Sequence, residues 1–167
     1  MPTNLQSHKN TAQADKFLTF CLDKQSYAIG VPKVREIIRQ MKITPIPQMP
    51  KYIKGVINLR GKVLTLVDLR TKFKLPHAEA TDSTCTIIVQ ANLPSGGHIL
   101  MGLVVDAVEE VANIPLQDIE NNPDFGVHHS AACILGMAKV RGTVTILLDV
   151  DRIISSETVE LMTNIKN

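Results

Sequence analysis

The side chains best placed for acid–base or metal chemistry in this 167-residue chain are two pairs of carboxylates. On a strand, Asp149 and Asp151 would share a face, and paired carboxylates are typical ligands of hard divalent cations. The adjacent Glu109 and Glu110 are more typical of a solvated face than of an acid/base dyad. No P-loop, dinucleotide-binding, metalloprotease, nucleophile-elbow or EF-hand motif accompanies either pair. The sequence therefore argues against an enzyme and predicts no catalytic residue, with a hydrolase of unrecognised type as a remote alternative.

Cysteine and histidine give no better candidates. Cys21, Cys85 and Cys133 are odd in number, widely separated and without a C-x-x-C spacing, and the five histidines are scattered. This pattern predicts small buried hydrophobic side chains in a reducing compartment rather than disulfides or metal ligands. We expect no metal site and no cofactor.

The most informative feature is an internal repeat. The segment GVINLRGKVLTLVDLR, residues 55–70, returns as GMAKVRGTVTILLDVD, residues 136–151, with six identities in sixteen positions. Average composition would give about one identity by chance. A weaker echo precedes each copy, because YAIGVPKVREI from residue 27 resembles MGLVVDAVEEV from residue 101. The chain is therefore predicted to use one small structural unit twice.

The repeat also assigns roles to the aspartates. Asp151 corresponds to Arg70, which argues against a metal site shared by both copies. Asp68 corresponds to Asp149, and each follows an apolar run. We expect both to accept backbone hydrogen bonds where a strand leaves its sheet.

The elements that must position these residues are predicted to be mainly strands. Short β-branched or aromatic runs are separated by turn signals, of which Arg60-Gly61 and Arg141-Gly142 are typical of tight hairpins. A brief helical turn is predicted for residues 31–38, and a C-terminal helix is predicted from Asp151 onward, with Ser155 or Ser156 as the cap of a final turn if the helix breaks there. The predicted strands are residues 17–22, 26–31, 56–59, 63–67, 84–90, 99–105, 134–140 and 143–148.

The termini and the hydropathy bound the remaining organisation. Residues 1–16 are polar and aperiodic, so we expect a disordered tail, followed by a single domain over residues 17–167. No apolar run approaches the roughly 18 residues of a membrane-spanning helix, and no secretory segment begins the chain. A cytoplasmic protein without direct membrane insertion is expected.

Charge is distributed unevenly although the formal net charge is only +2. Seven cations crowd residues 51–74, whereas residues 75–138 contain none. A small barrel with a cationic groove binds oligonucleotides, which makes nucleic-acid binding an alternative. Only Tyr52 and Phe73 could supply stacking within the cluster, so a protein-binding function is favoured and nucleic acid is not the expected partner. The cluster comprises Lys51, Lys54, Arg60, Lys62, Arg70, Lys72 and Lys74.

The segment YIKGVINLRGKVLTLVDLRTKF, residues 52–73, resembles the signature of the CheW family of chemotaxis coupling proteins. That signature is a G-x-x-N-L-R-G hairpin that runs into an apolar strand ending in D-L-R. The echo segments, a P-x-F segment at residues 123–125 and the ending LGMAKVRGTVTILLDVDRII follow in the family's order. The resemblance covers nearly the whole chain beyond the tail.

The resemblance implies a mainly β fold of two SH3-like five-stranded β-barrels packed on a shared hydrophobic interface, with a short C-terminal helix. It implies a non-enzymatic adaptor that couples methyl-accepting chemoreceptors to the regulatory domain of the histidine kinase CheA in receptor arrays. An adaptor of a non-flagellar chemosensory pathway is the alternative within the family. Family members commonly have Pro at the position of Thr65 and Asp near Gly30, and these departures leave a dedicated pathway open.

The resemblance also implies two binding sites. The receptor-binding residues would be Val34, Glu36, Arg60 and Val108 in a groove between the barrels. Core packing is an equally good explanation for the two valines, and hairpin surface charge is an alternative for Arg60. The kinase-binding residues would be Ile43 and Gly55, which a rigid proline-rich connector explains almost as well. Because both lie at turns or loops, Arg60→Glu and Gly55→Asp are expected to leave the fold intact.

Overall fold

The structure, a computed structural model, describes residues 16–39, 41–121 and 132–166. These residues contain ten strands, two α-helices and 3-10 turns at Val31–Lys33, Leu116–Asp118 and Val150–Arg152. The helices are α1 (Leu69–Lys72) and α2 (Ser156–Lys166). The strands are β1 (Lys16–Leu22), β2 (Gln25–Gly30), β3 (Val34–Ile38), β4 (Ile53–Leu59), β5 (Lys62–Asp68), β6 (Cys85–Asn92), β7 (His98–Val105), β8 (Ala107–Asn113), β9 (Ile134–Val140) and β10 (Thr143–Leu148).

The strands form two five-stranded sheets, as the resemblance implies. One sheet has the order β3-β6-β7-β5-β4 and is continuous in sequence; we call it the central barrel. The other has the order β8-β1-β2-β10-β9 and is built from both ends of the domain; we call it the terminal barrel. The barrels therefore do not coincide with the two halves of the sequence, because each sequence repeat contributes strands to both.

The predicted duplication is confirmed down to strand register. Leu66 of β5 lies opposite Gly102 in a parallel pairing of the central barrel. The equivalent residues, Leu147 and Ala28, are opposite each other in the terminal barrel. A bulge in the β3–β6 pairing also recurs at the matching place in β8–β1. Strands β1 and β6 are the fifth equivalent pair, which the sequence did not reveal because FLTFCL and TIIVQA share no identity.

All eight predicted strands are confirmed, but two further strands were not predicted. The helical turn expected over residues 31–38 is wrong beyond its first three residues, since Val34–Ile38 is strand β3. Pro32 suits the start of a turn, whereas the β-branched residues that follow pair with β6. The other strand that was not predicted is β8. Its adjacent acidic residues, Glu109 and Glu110, hid the pattern of a half-buried edge strand.

Both barrels are open along one seam. Within the described residues, no ladder pairs the edge strands β3 and β4, or β8 and β9. A single antiparallel bridge instead adds a piece of connector to the outer side of β4, at Thr44 and Val56, and of β9, at Glu120 and Met137. Each barrel therefore has a gap between its edge strands that side chains must occupy.

Three apolar clusters hold the fold together, and the largest lies between the barrels. It contains buried residues of both sheets, such as Phe20 and Ile29 from the terminal barrel and Ile87 and Leu103 from the central barrel. This is the shared interface that the resemblance implies. The interior of the terminal barrel is built from Phe17, Ala28, Ala112, Ile114, Ala138 and Leu147, and that of the central barrel from Ile57, Leu64, Leu66 and Ile88.

The predicted C-terminal helix is confirmed and packs on the shared cluster through Met162. Its cap is Ser155, whose hydroxyl accepts a hydrogen bond from the Thr158 amide at 3.2 Å. The Tyr52 hydroxyl lies 2.7 Å from that of Thr158 and ties the helix to the approach of β4. No helix among the described residues is long and apolar enough to span a membrane. The predicted tail, apart from Lys16, and the P-x-F segment lie outside the described residues.

Candidate functional site

The hairpin between β4 and β5 presents Arg60 to solvent. Arg60 and Gly61 both have positive φ, 52° and 88°, as a two-residue hairpin turn requires. The Asn58 side chain accepts a hydrogen bond from the Gly61 amide at 2.8 Å, which fixes the turn. As a result the Arg60 side chain is 70% exposed, and the turn that the sequence predicted is confirmed.

Arg60 pairs with Glu36, so the structure brings two of the predicted receptor residues together. The Arg60 guanidinium donates to both carboxylate oxygens of Glu36. Glu36 lies on edge strand β3 and Arg60 follows edge strand β4, so the ion pair bridges the open seam of the central barrel. An exposed pair of this kind adds little stability, but it fixes the direction in which both side chains point.

The terminal barrel carries an equivalent pair that the sequence did not reveal. Arg141 occupies the same hairpin position and forms an ion pair with Glu110 of edge strand β8, with an N–O distance of 2.9 Å. The echo does align Glu36 with Glu110. Predicting the second ion pair from this alignment would also have required knowing that each hairpin faces an edge strand. The Arg–Glu pair is therefore part of the repeated fold, and any function special to Arg60 depends on its surroundings.

Those surroundings form a groove beside the Glu36–Arg60 pair. Its volume is about 420 Å³ and its floor is apolar, with Leu64, Ile88 and Leu100. Cationic side chains border it, namely Arg35, Lys62 and His98, the last of which is charged only when protonated. At the positions of Arg35 and Lys62 the terminal barrel has Glu109 and Thr143, so its pair lacks both of these cations.

Val34 and Val108 occupy equivalent positions on two different sheets. Val34 lies on β3 opposite Val89, and Val108 lies on β8 opposite Phe20. Both valines are half-buried and pack against the cluster shared by the barrels. Each thus contributes to the interface and leaves part of its surface accessible, which agrees with both interpretations given above.

Ile43 and Gly55, the two predicted kinase-side residues, are in contact. The connector passes over β4 so closely that a Cβ on Gly55 would lie 2.2 Å from the Thr44 carbonyl oxygen and 3.0 Å from Cγ2 of Ile43. Gly55 also has φ of 143°, which strongly favours glycine. The expectation that Gly55→Asp leaves the fold intact is therefore wrong, because any side chain would displace the connector.

Two half-buried polar clasps, which the sequence analysis missed, join the barrels. In the first, Arg70 follows β5 and donates to Asp106 through two nitrogens, each at 2.8 Å, and lies 3.7 Å from Asp23. Burial raises the pKa of Asp106, but hydrogen bonds from Arg70 and the Asp23 amide outweigh it and leave that pKa below its ordinary value. Arg70 is thus part of the contact between the barrels, with its side chain 16% exposed.

The second clasp lies at the equivalent place with the charges reversed. Asp151, the counterpart of Arg70, accepts two hydrogen bonds from Lys33 at 3.0 and 3.1 Å. It also accepts one from the Asn92 amide at 2.8 Å. Lys33 immediately precedes Val34, and Asp106 lies two residues before Val108. Each clasp therefore fixes the turn that precedes one of these two valines.

The aspartates and cysteines have structural roles. Asp68 and Asp149 each accept a hydrogen bond from the amide two residues ahead, at 3.0 Å, as predicted. In the described parts of the chain, no three His, Cys, Asp or Glu side chains are grouped to hold a metal ion. Cys85 and Cys133 are buried, and burial raises the pKa of Cys133 to about 11, whereas Cys21 is half-buried.

The basic cluster of the sequence is dispersed by the fold. Arg60 pairs across the seam and Arg70 is in a clasp, while Lys72 lies over the Tyr52 ring at 4.4 Å. The two aromatics that could stack on bases are engaged internally. Phe73 stacks on Tyr27 with ring centroids 5.7 Å apart, and the Tyr52 hydroxyl lies within hydrogen-bonding distance of that of Thr158. This arrangement does not favour a nucleic-acid groove.

The comparison with known protein families agrees with the two-barrel fold. The family model of the CheW-like domain matches residues 16–158, which include both barrels and the start of α2. The chain belongs to the CheW family.

Relatives within the family match over most of their length. The chemotaxis protein CheW of Klebsiella aerogenes is 32% identical over 150 residues, covering 90% of this chain and 87% of that protein. Protein FrzA of Myxococcus xanthus is 30% identical over 125 residues, 74% of each chain. The crystal structure of the scaffolding protein TtCheW from Thermoanaerobacter tengcongensis aligns with a TM-score of 0.75 and 29% identity, covering 87% of this chain and 95% of that one.

The two departures from the family pattern lie in different environments. Thr65 is 1% exposed, in the middle of β5. Because Thr65 alternates with Leu66 of the barrel interior and pairs with Met101, it lies on the strand face that packs toward the cluster shared by the barrels. Gly30 ends β2 with an ordinary φ of −63° and caps the turn that leads to Val34. Of the two, only Gly30 is placed to affect a docking surface.

Proposed function

We propose that the chain is a non-enzymatic adaptor of bacterial chemotaxis that couples methyl-accepting chemoreceptors to the histidine kinase CheA. The observation that carries the proposal is the family match over both barrels, together with two separate sets of surface residues. The adaptor acts in the cytoplasm at receptor arrays, which it reaches through its partners. Residues 17–167 work as one domain, because the clasps and the shared cluster join the barrels.

The receptor tip, a helical hairpin, docks on the central barrel beside the Glu36–Arg60 pair. An apolar floor bordered by cations suits a helix that presents aliphatic and acidic side chains on one face. Val34 and Val108 add apolar surface at the edge of the barrel interface. Arg60 supplies charge-assisted hydrogen bonds to the receptor helix, since its side chain is more exposed than that of Glu36.

The kinase regulatory domain docks at the crossing of Ile43 over Gly55. The connector carries Pro45, Pro47 and Pro50, which restrict its backbone, and Ile43 is half-buried against the interior of the central barrel. A rigid apolar loop of this kind loses little conformational entropy on binding. The receptor and kinase sites use different strand ends, so both partners bind at once.

Co-sedimentation with receptor-containing membranes and purified CheA tests the proposal. Two variants, each changed at one site, serve as controls for the other site. Arg60→Glu is expected to lose receptor association and keep kinase binding, because only the groove is changed. Ile43→Asp is expected to lose kinase binding and keep receptor association. Arg141→Glu, at the equivalent hairpin of the terminal barrel, should retain both. Normal receptor association by Arg60→Glu, or its loss by Arg141→Glu, would contradict the receptor assignment.

A nucleic-acid-binding barrel predicts a different pattern. It would shift a labelled oligonucleotide in a salt-dependent manner, and Lys51→Glu with Lys62→Glu would abolish the shift without affecting CheA. The internal use of Tyr52 and Phe73 favours the adaptor. Whether motility or another output is controlled stays a prediction to be tested by deletion of the gene.

A further inference from the structure

One end of the central barrel carries positive charge that the described part of the chain does not neutralise. The groove at this end is lined by three permanent cations, Arg35, Arg60 and Lys62, and by a single carboxylate, that of Glu36. Both oxygens of Glu36 accept hydrogen bonds from Arg60. The positive charges of Arg35 and Lys62 are therefore left for a ligand.

Arg35 is held in place without being neutralised. Its Nη1 donates to the Pro32 carbonyl oxygen at 2.9 Å, and its Nε donates to the side-chain oxygen of Gln90 at 3.3 Å. These acceptors are uncharged, and Nη2 has no acceptor among the described residues. A guanidinium fixed in this way can bind a carboxylate through charge-assisted hydrogen bonds with little further loss of side-chain entropy.

Lys62 borders the same groove from the first residue of β5. Its side chain is exposed, and it makes no hydrogen bond or ion pair with any residue that the structure describes. In open solvent such a charge interacts weakly. A helix that covers the groove would exclude water from it and so strengthen the attraction between Lys62 and a carboxylate.

The equivalent end of the terminal barrel is polar and satisfied by its own hydrogen bonds. By repeat and register, the floor residues Leu64, Ile88 and Leu100 correspond to Thr145, Thr19 and Ser26. The Thr19 hydroxyl donates to the Glu110 carbonyl oxygen at 3.0 Å, and the Ser26 hydroxyl donates to Glu109 at 2.8 Å. The fold therefore requires neither an aliphatic floor nor two unneutralised cations at this end of a barrel.

We propose that Arg35 and Lys62 determine receptor specificity by binding an Asp or Glu side chain of the receptor tip. The carboxylate lies one helical turn from the aliphatic side chain that packs on the groove floor, since residues three or four apart share a helix face. A receptor with a neutral or basic residue there is bound more weakly, because like charges oppose docking.

The assignment adds two residues to the four that the resemblance implies for receptor binding. It rests on the proposed function, because it names the chemical feature by which the same groove distinguishes one receptor from another.

Neutral substitutions test whether the two charges are read. By co-sedimentation with receptor-containing membranes, Lys62→Met and Arg35→Gln should each weaken association about threefold to fivefold, as expected for a partly exposed ion pair. CheA binding should be unchanged in both. Lys139→Met removes the same charge from an exposed residue of β9 and should bind receptors as the unsubstituted chain does. Equal weakening by Lys139→Met would reveal general attraction to the membrane and overturn the proposal.

Salt separates an electrostatic role from a structural one. Raising the salt concentration should narrow the difference in receptor affinity between the unsubstituted chain and Lys62→Met, because the lost interaction is between charges. A difference that is independent of salt would overturn the proposal.

Charge reversal identifies the partner group. Lys62→Glu should lose receptor association, and Asp→Lys or Glu→Lys at one acidic position of the receptor tip should restore it. Failure of every such receptor variant to restore association would overturn the proposal. If Lys62→Met and Arg35→Gln bind receptors normally while Arg60→Glu does not, this proposal fails and the proposed function stands. If the unsubstituted chain does not associate with receptor-containing membranes at all, the proposed function itself fails.

Discussion

The terminal and central barrels have the same strand order and register but are filled differently. The terminal barrel packs Phe17 against alanines, whereas the central barrel uses aliphatic residues such as Ile57 and Ile88 and retains a cavity. The same strand arrangement thus tolerates different interior side chains, provided that side-chain volume removed at one position is replaced nearby. The difference shows that the interiors of the two barrels diverged while their fold stayed fixed.

The two clasps also differ between equivalent positions, in the sign of the charges that they use. Arg70 and Asp151 are equivalent residues of opposite charge, and each finds a partner of the opposite sign on the linker between barrels. Because either polarity satisfies the geometry, the position requires a charged pair and not a particular residue. The duplication therefore preserves the place of a clasp but not its details, since Asp106 and Lys33 stand at neighbouring and not equivalent positions of the repeat.

The largest effect is expected at the two glycines where a connector crosses an edge strand. A Cβ on Gly55 would lie 2.2 Å from the Thr44 oxygen at positive φ, whereas one on Gly136 would lie 2.7 Å from the Glu120 oxygen. Gly55→Ala should therefore destabilise the protein by about 3 kcal/mol and Gly136→Ala by about 2 kcal/mol. Urea unfolding monitored by circular dichroism measures both.

Gly61→Ala serves as the control for backbone strain without a close contact. Its φ is also positive, 88°, but a Cβ there would meet nothing within 4 Å. About 1 kcal/mol is expected for this substitution. If Gly55→Ala were no worse than Gly61→Ala, the close approach of the connector would not be what requires glycine.

The clasps should give the next largest effect, and an unequal one. The Arg70 side chain is 16% exposed and makes two hydrogen bonds to Asp106, whereas the side chains of Lys33 and Asp151 are 29% and 30% exposed. Arg70→Ala should cost about 2 kcal/mol and Lys33→Ala about 1 kcal/mol in unfolding free energy. Similar losses of unfolding free energy in Arg70→Ala and Lys33→Ala would show that the greater burial of the Arg70 guanidinium adds nothing to stability.

Acid titration sharpens the comparison of the clasps. The folded-state pKa of Asp106 lies below its unfolded value of 3.8. Its contribution is therefore complete above pH 3.8 and is lost as the pH falls through the lower, folded value. The stability difference between the unsubstituted chain and Arg70→Ala should stay constant from pH 7 to pH 5 and shrink below pH 4. A difference that shrank already between pH 7 and pH 5 would point to another group.

The sequence predicted what depends on local pattern. Alternating apolar runs located the eight predicted strands, and the Arg-Gly dipeptides located both hairpins. The 81-residue offset revealed the duplication, and the structure extends it to strands that share no identity. Within the site, the resemblance implied Glu36 and Arg60 without showing that they touch.

What the sequence could not predict depends on residues that only the fold brings together. Arg70 and Asp106 are 36 residues apart, and Lys33 and Asp151 are 118 residues apart, so no local spacing marks either clasp. The requirement for glycine at Gly55 arises from a connector that crosses it, not from the strand itself. The cavity likewise depends on how side chains of several strands meet.

The smallest effect on stability is expected at the two exposed seam pairs. Arg60 and Arg141 are 70% and 79% exposed, so a double-mutant cycle with Glu36→Ala or Glu110→Ala should give coupling free energies below about 1 kcal/mol in both barrels. Salt at 1 M should reduce both couplings, because exposed charges are screened. A much larger coupling at Glu36–Arg60 than at Glu110–Arg141 would mean that the central seam depends on its ion pair for closure. Loss of receptor association in Arg60→Glu would then reflect an opened barrel, whereas equal and small couplings leave direct contact as its cause.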